Sequence, residues 1–476
     1  MAAATAAAYS ASPSSTGMNP VAASNADSTS GAGRALCSRS DMRCSSGSWT
    51  DVVGPYSTVA AVPGAGPEQR TKRDGRGLRL FAPLGEPVPL ATRSPCQNRP
   101  VRGPTPRHAM HTGSSQMRAA ILHKTGQDTL DVREDVTAVG FREGTVRVRM
   151  RAASLCHSDL SAMSGVLPQP APFVPGHEGA GDVLEVGEGV TGLAVGDRVV
   201  LCWMAPCGLC DHCRQDRGHL CIASLRRLGA PGFRIEEGGL TASGFYGTGA
   251  FAEEVVVCAD AVIKVPADLP YEAAALIGCG VTTGIGAAVN TAKVEPGASV
   301  AVLGAGGVGV ATVQGARVCG AGRITVVDPV ASRRERALAF GATEAVAPED
   351  LKAVAKKLPG GGFDYVFEAV GRAATVRAGY DAARRGGAVV VIGAGAQDDL
   401  AQFTMGELFF NEKRLLPSLY GGATVRRTIA LVVDLWRAGR IDLDGMVTHR
   451  VALMDVNDAI AQMHSGEALR TVVTMG

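Results

Sequence analysis

Four cysteines in the pattern Cys207-x-x-Cys210-x-x-Cys213-x7-Cys221 place four thiolates within one short loop. That is enough to close a tetrahedral zinc shell without histidine. Spacing alone does not exclude an iron–sulfur cluster, which also takes four cysteines, or a redox dithiol. His212 and His219 lie nearby and read as solvated loop residues rather than extra ligands. A second, looser set comprises Cys156 after a strand candidate, His177 in the turn-rich PGHEGAG with Glu178 beside it, and Cys279 in IGCGVTTG. Two thiolates and one imidazole can hold Zn(II) and leave a fourth position for water or an alcohol oxygen. Distance along the chain cannot join these three. Read alone, Cys279 is equally a buried apolar thiol and His177 equally an exposed loop residue.

A third chemistry-bearing stretch runs from Ala298 to Asp328, ASVAVLGAGGVGVATVQGARVCGAGRITVVD. A β-branched run meets Gly304-x-Gly306-x-x-Gly309, an apolar helical run follows, and a second β-like run ends in Asp328. Gly304 permits the tight turn, Gly306 lets a pyrophosphate approach the backbone, and Gly309 allows close helix–strand packing. The helix N-terminus then receives the phosphates. Asp328, 19 residues beyond Gly309, can accept both hydroxyls of an adenosine ribose and repels a 2'-phosphate, which argues for NAD over NADP. In a chain with 61 glycines the glycine motif alone is weak; the strand–turn–helix–strand order is what gives it meaning.

These sites need two kinds of scaffold. From Met117 to about Lys293 the sequence is mainly strand and turn: MRAAILHKTG, TVRVRMRAASL, GDVLEVGEGV, GDRVVLCWM and FAEEVVV are strand candidates bounded by glycines. Short segments of this kind suit a partly open β-barrel-like domain carrying loops. From about Val294 to Ala430, VAVL, RITVVD, FDYVFEAV and GAVVVIG alternate with helical runs such as SRRERALAF, the pattern of a doubly wound parallel sheet. The expected fold class is therefore α/β. In residues 431–476, DVNDAIAQMHSGE reads as a helix and ALRTVV as a strand returning to the first domain. TIALVVDLWRAG is an amphipathic helix across the junction.

Residues 1–116 differ, being rich in Ala, Ser, Gly, Pro and Arg with few long apolar periods, which predicts a disordered extension. Organellar leaders share this bias, so targeting is the alternative to a dispensable tail or an upstream translation start. Cys37, Cys44 and Cys96 lack companion ligands. A chain of 476 residues has material for two or three domains. A formal charge of +2 gives no warrant for a nucleic-acid or acidic-membrane partner, and no run reaches the roughly 18 apolar residues of a membrane span. Twelve clustered cysteines point to ligation in a reducing cytoplasm rather than to disulfides.

The motifs SLCHSD, PGHEGAG, the four-cysteine lobe, GCGVTTGIGAAVNTAKVEPG, GAGGVG and GEALRTVV follow one another in an order that resembles the zinc-dependent medium-chain alcohol dehydrogenase family, especially its class I and class III branch. The resemblance covers Met117–Gly476. It implies a catalytic domain joined to a Rossmann coenzyme domain, two zinc ions per subunit, NAD, and a homodimer built on terminal sheet elements of the coenzyme domain. It assigns the catalytic zinc to Cys156, His177 and Cys279, and the structural zinc to Cys207, Cys210, Cys213 and Cys221. Glu178 becomes an acidic neighbour of the catalytic metal. Asp159 orients His177 by accepting its N–H. Ser158 begins the proton relay, His157 faces the coenzyme pyrophosphate, and Arg470 binds that pyrophosphate. Arg333 contacts the adenosine ribose, with Arg334 as a substitute or a solvent-facing neighbour. Trp203 and Leu167 line the substrate channel. Where many relatives end the relay in histidine, this chain has Ser161.

The resemblance thus implies reversible hydride transfer between a small-molecule primary or secondary alcohol and NAD, with the metal handling oxygen charge and Ser158 helping to remove the proton. The alternative substrate is an S-(hydroxymethyl)thiol adduct of glutathione or mycothiol; the alternative functions are a non-enzymatic zinc-stabilised nucleotide-binding regulatory protein and a zinc-free quinone reductase sharing the two-domain arrangement.

Overall fold

The computed structural model describes residues 116–225, 229–465 and 468–476. The extension over 1–115, with Cys37, Cys44 and Cys96, lies outside the described residues.

The catalytic domain is organised around the ten-residue strand Thr145–Ser154, whose burial alternates and then becomes continuous toward its end. It pairs antiparallel with Glu178–Val186 along one edge. Along the other edge its first half pairs with Glu254–Cys258 and its last three residues with Arg470–Thr474. The expected return of ALRTVV to the first domain is thus a three-residue splice into its central sheet. A five-stranded sheet, Met117–Ile121, Asp131–Ala138, Pro231–Ile235, Thr241–Gly244 and Phe173–Val174, curls beside this seven-stranded one. Bridges Ala119 to Ala252 and Leu122 to Phe173 stitch the barrel-like body. Asp131–Ala138 was not legible as a strand because its first five positions are charged or half-exposed.

The coenzyme domain carries six strands, all parallel: Ser299–Leu303, Arg323–Val327, Glu344–Val346, Phe363–Glu368, Ala383–Val391 and Arg414–Pro417. In space they run third, second, first, fourth, fifth, sixth, the doubly wound dinucleotide-binding order. Successive residues of the first strand enter different clusters, Val300 and Val302 on one face and Ala301 and Leu303 on the other. That is what period-two geometry requires of a sheet covered by helices on both sides. The order reverses between the first and fourth strands, and the Gly304 turn leaves the sheet there.

One helix, Tyr271–Ala292, joins the two bodies. Its 22 residues are long and apolar enough to cross a membrane by length and composition, although Thr and Asn interrupt the apolar run. It is a core helix, 83% of its most apolar window being buried. It packs closely on the coenzyme helix Gly307–Val318: a Cβ at Gly284 would stand 2.5 Å from Val308 O, and one at Gly315 2.9 Å from Ile285 Cα. The junction expected at residue 430 falls inside the helix Val425–Arg437.

Candidate metal and coenzyme centre

Cys156 stands where Thr145–Ser154 gives way to the helix His157–Ser164, as the N-cap of that helix. Asp159, three residues on and fully buried, accepts the Cys156 N–H with Oδ2 at 3.0 Å. Its Oδ1 accepts the Gly176 N–H at 2.9 Å and lies 3.2 Å from His177 Nδ1. One carboxylate therefore fixes the backbone of the first ligand, the backbone before the second, and the second's ring. Donation from Nδ1 leaves the His177 Nε2 lone pair free. That Nε2 is buried and has no hydrogen-bond partner. Cys279 arrives from the helix Tyr271–Ala292, in a π-helical turn at Ile277–Val281. The wide turn breaks the regular ladder, and hydroxyls bind its carbonyls: Thr282 Oγ1 donates to Ile277 O at 2.6 Å, and Tyr420 Oη donates to Gly278 O.

The ligand atoms of Cys156, His177 and Cys279, with a Glu178 oxygen, all lie within 4.8 Å of one another. An unpartnered imidazole nitrogen aimed among two sulfurs in a buried cluster fits Zn(II), and His/Cys2 ligation is a set that leaves a position open. Charge is coupled through the cluster. Contact with the Cys279 thiol, joined by the charges of His177 and Arg470, outweighs burial and holds the Cys156 thiol well below its ordinary range. The same contact with Cys156, reinforced by burial, pushes Cys279 well up. Burial opposes charge on His177, but Asp159 and Cys156 outweigh it and raise the imidazole. Burial likewise pushes the Glu178 carboxyl up to about 7, against the attraction of Arg470.

Glu178 connects this cluster to the nucleotide fold. Its Oε1 accepts the Gly280 N–H at 3.0 Å, and its Oε2 pairs with Arg470 Nη2. Arg470 is 4% exposed and its Nε has no partner. Its side chain fills the space that a Cβ would need at Gly280 and at Gly307, the first residue of the coenzyme helix. The arginine expected at a pyrophosphate thus sits at the helix N-terminus and in the metal cluster's charge network at once.

The glycine loop has the geometry its sequence implies. Gly304 holds φ at +95°, and a Cβ at Gly309 would be 1.8 Å from Gly304 O. Gly306, the N-cap, faces open space, which leaves room for a diphosphate. Asp328 ends the second strand's approach: Oδ2 accepts the Ala305 N–H at 2.8 Å and Oδ1 the Val330 N–H at 2.9 Å. Arg334 turns inward and donates to Asp328 O and Pro329 O, so it caps the strand rather than facing solvent. Arg333 lies half-buried on the following helix, Ala331–Ala339.

The four-cysteine lobe is a separate cluster whose sulfurs also lie within 4.8 Å of one another. Cys207 to Cys213 and Cys210 to Cys221 are each 4.0 Å apart; an ideal tetrahedron of 2.3 Å Zn–S bonds gives about 3.8 Å. The N–H groups of Leu209 and Cys210 point at Cys207 Sγ, and that of Cys207 points at Cys221 Sγ, each at 3.4 Å. Burial pushes the Cys213 and Cys221 thiols up, and neighbouring sulfurs add to it. A bound cation is what stabilises four thiolates there. His219 corrects the sequence expectation: it is buried, because its turn packs on the segment after Tyr420, where Thr424 Oγ1 accepts the Gly218 N–H.

Ser158 Oγ is 3.8 Å from Cys156 Sγ, and His157 is exposed at the first turn of its helix. The two channel candidates part company. Leu167 packs against the barrel core, Trp203 against the cluster beneath the metal ligands. Sequence reasoning missed the rings around Trp203. Tyr246 and Tyr420 stack on its two faces at 4.7 and 4.6 Å, Phe245 stacks on Tyr246 at 4.2 Å, and His177 stands edge-on to Phe245 and Tyr246. The available signal was an aromatic residue directly before glycine in two loops, FYG and LYGG.

Residues 142–267 match the alcohol dehydrogenase GroES-like domain and residues 307–435 the zinc-binding dehydrogenase family. The chain is 38% identical over 373 residues to an S-(hydroxymethyl)glutathione dehydrogenase of Escherichia coli O1:K1, covering 75% of this chain and 99% of that protein. Among solved structures it resembles an alcohol dehydrogenase zinc-binding domain protein from Burkholderia ambifaria, with TM-score 0.72, 32% identity, and 76% of this chain and 100% of that one covered. It also resembles the acetophenone reductase of Geotrichum candidum solved with NAD, with TM-score 0.63, 25% identity, and coverage of 76% and 98%. Two cysteine-bearing clusters with donor sets that suit a metal ion, a glycine turn linked to one of them through Arg470, and relatives spanned almost end to end lead to one conclusion: the chain belongs to the zinc-dependent medium-chain alcohol dehydrogenase family, and is a nicotinamide-dependent oxidoreductase.

Proposed function

We propose that this protein is a two-zinc, NAD-dependent dehydrogenase that interconverts primary and secondary alcohols with their carbonyl products. The observation that carries the reading is the buried convergence of Cys156, His177 and Cys279 around an unpartnered Nε2, one residue contact from the coenzyme helix. Zinc held by these residues would supply Lewis-acid chemistry at the substrate oxygen, and NAD held at the glycine turn would supply the hydride acceptor. Cys156, His177 and Cys279 hold the open site; Cys207, Cys210, Cys213 and Cys221 hold the closed one. Asp159 keeps the imidazole oriented, and Glu178 balances Arg470 beside the ligands. Ser158 receives the proton leaving the substrate hydroxyl. With Ser161 in place of a terminal imidazole, His157 is this chain's candidate to take the proton onward, and bound coenzyme would offer its ribose as the other route to water. Gly304, Gly306 and Gly309 shape the diphosphate turn, Arg470 and His157 face the diphosphate, and Arg333 faces the adenosine ribose. Asp328 accepts the ribose hydroxyls and disfavours a 2'-phosphate. Leu167 and Trp203 border the substrate.

The division of labour is residues 117–293 and 431–476 for catalysis and 294–430 for the coenzyme, in a reducing cytoplasm. A second copy of the chain covers the apolar surface of Leu400, Met405, Phe409 and Phe410, which are 68–78% exposed beside the edge strand Arg414–Pro417, since such an edge invites a partner. Sedimentation should give the mass of a dimer. NADH formation with several alcohols, before and after zinc removal and restoration, tests the reaction; turnover indifferent to zinc contradicts it. Higher kcat/KM with NADP than with NAD contradicts the role of Asp328.

A second reading, an S-(hydroxymethyl)thiol dehydrogenase, is favoured by the name of the E. coli relative. Formaldehyde with and without glutathione or mycothiol, run beside primary alcohols, separates the two. A 100-fold advantage in kcat/KM for the adduct, about 2.7 kcal/mol of transition-state discrimination, transfers the assignment to it.

A further inference from the structure

We propose that Glu368 is a positioning residue for the coenzyme: its buried carboxylate fixes the turn beside the Gly304 loop, and so sets the affinity for the dinucleotide without touching it. This rests on the reading of the Gly304–Gly309 turn as the dinucleotide site. Glu368 ends the strand Phe363–Glu368 and stands in register with Leu303 at the end of the neighbouring strand. Strand order reverses between these two, so the turns that follow them, one starting at Gly304 and one at Ala369, flank the crevice where a dinucleotide lies. The turns are in contact: Ala369 N–H donates to Leu303 O at 2.9 Å, and a Cβ on Gly304 would stand 2.9 Å from Val370 Cγ2. Val370 is exposed, whereas Glu368 behind it is completely buried.

One side chain organises the second turn. Glu368 Oε1 accepts the Val370 N–H at 2.9 Å, the Gly371 N–H at 2.8 Å and the Thr375 hydroxyl at 2.7 Å. The Glu368 carbonyl accepts the N–H groups of Ile392 and Gly393 at 2.9 and 3.0 Å, from the turn after the next strand. Those two turns are pressed together, since a Cβ on Gly393 would be 2.0 Å from Gly371 N. Oε2 has no partner. All three donors to Oε1 are neutral groups, so the carboxylate is met by the N-terminal end of the helix Ala373–Ala382 rather than by a cation. Asp399 accepts the Ala373 N–H of the same helix at 2.8 Å. Two helices thus begin beside the crevice, and they differ. The chain supplies the first with its own acceptors, whereas Gly306, the N-cap of Gly307–Val318, faces open space. A diphosphate is directed to the second helix while the first is held as a fixed wall. A wall ordered before the coenzyme arrives removes the cost of ordering it on binding.

The test uses the full zinc-loaded chain, and its main readout needs no turnover. The dissociation constant of NADH, followed by its fluorescence, should rise about tenfold in Glu368→Ala and about threefold in Thr375→Val, the scale of losing three or one of these hydrogen bonds. Glu368→Gln keeps an acceptor for the same donors and should bring the constant back to within about threefold of wild type. In steady state the KM for NAD should rise in parallel, and the KM for the alcohol at saturating NAD should move less than about twofold. A residue that only stabilised the fold would lower the thermal midpoint and leave the NADH constant of the folded protein where it was. An unchanged constant in Thr375→Val and Glu368→Ala overturns the proposal, as does an equal loss in the alanine and glutamine variants. If Glu368→Ala fails to fold, Thr375→Val decides alone, and an unchanged constant there overturns the proposal. Failure of the wild type to bind NADH overturns the reading of the glycine turn and the proposal with it; NADH binding that every variant shares overturns the proposal only.

Discussion

The two cysteine clusters use similar atoms in opposite ways. The four-cysteine lobe takes all its ligands from one loop, and backbone N–H groups point at two of its sulfurs. The Cys156–His177–Cys279 cluster draws one ligand from a helix cap, one from the start of a strand and one from a π-helical turn. Its ligands are held by side chains that reach between segments: Asp159 to His177, Glu178 to the Cys279 turn, and Arg470 and Tyr420 from further along the chain. The first is a local motif in which binding and loop folding are one event. The second is a product of tertiary packing, and the expectation is that the fold survives loss of its metal while turnover does not.

That contrast is most severely tested by removing one ligand from each. His177→Ala should cut kcat/KM about a thousandfold, the several kcal/mol that a Lewis acid contributes, while metal analysis falls from two zinc ions to one and the thermal midpoint moves little. Cys210→Ala should lower the midpoint by roughly 5 °C, about 3–4 kcal/mol in a fold of this size, with much of the activity of the surviving folded fraction retained. Equal effects of both substitutions on both readouts would break the comparison.

Asp159→Asn sharpens it, since only the distributed site depends on a carboxylate behind the histidine. Affinity for the catalytic zinc, measured by competition with a chelator, should fall by roughly 10- to 100-fold, with the four-cysteine zinc unaffected. Tyr420→Phe is the mildest change. It keeps the ring and removes the hydroxyl from Gly278 O, a loss of about 1 kcal/mol. The expected result is a several-fold drop in kcat and a displaced thiolate absorption band in the cobalt-substituted protein, because the Cys279 turn relaxes. An unshifted band would make Tyr420 a packing residue alone.

The same division explains what could be read in advance. The lobe was legible from spacing because its ligands are neighbours in sequence. The glycine turn was legible because φ at Gly304 and the approach of Gly309 to Gly304 O are demands that only glycine meets. Cys156, His177 and Cys279 could be joined only through resemblance, since nothing in their spacing reports which strand lies beside which. The pairing of Glu178 with Arg470, the burial of His219 and the inward turn of Arg334 belong to the same class. Each depends on what packs against a short segment. The aromatic stack around Trp203 is the extreme case: its members come from three separated segments, and no periodicity connects residues 203, 246 and 420. Asp131–Ala138 went unseen for a simpler reason, its solvent-facing charges hiding its one apolar end.

The strand Arg470–Thr474 has a consequence for the order of events during folding. Its partners Ala152, Ala153 and Ser154 lie more than three hundred residues earlier, and closing a flexible loop of that length costs on the order of 5 kcal/mol of chain entropy. If the coenzyme domain between them folds first as a unit, it shortens the effective loop, so splicing in the last strand becomes a late step. Arg470 rides on that strand. Until it docks, Glu178 lacks its counter-charge and the coenzyme helix lacks its arginine. The incomplete chain can therefore gather its metals while the nucleotide side remains unfinished, and the ability to turn over appears abruptly, with the final pairing of strands.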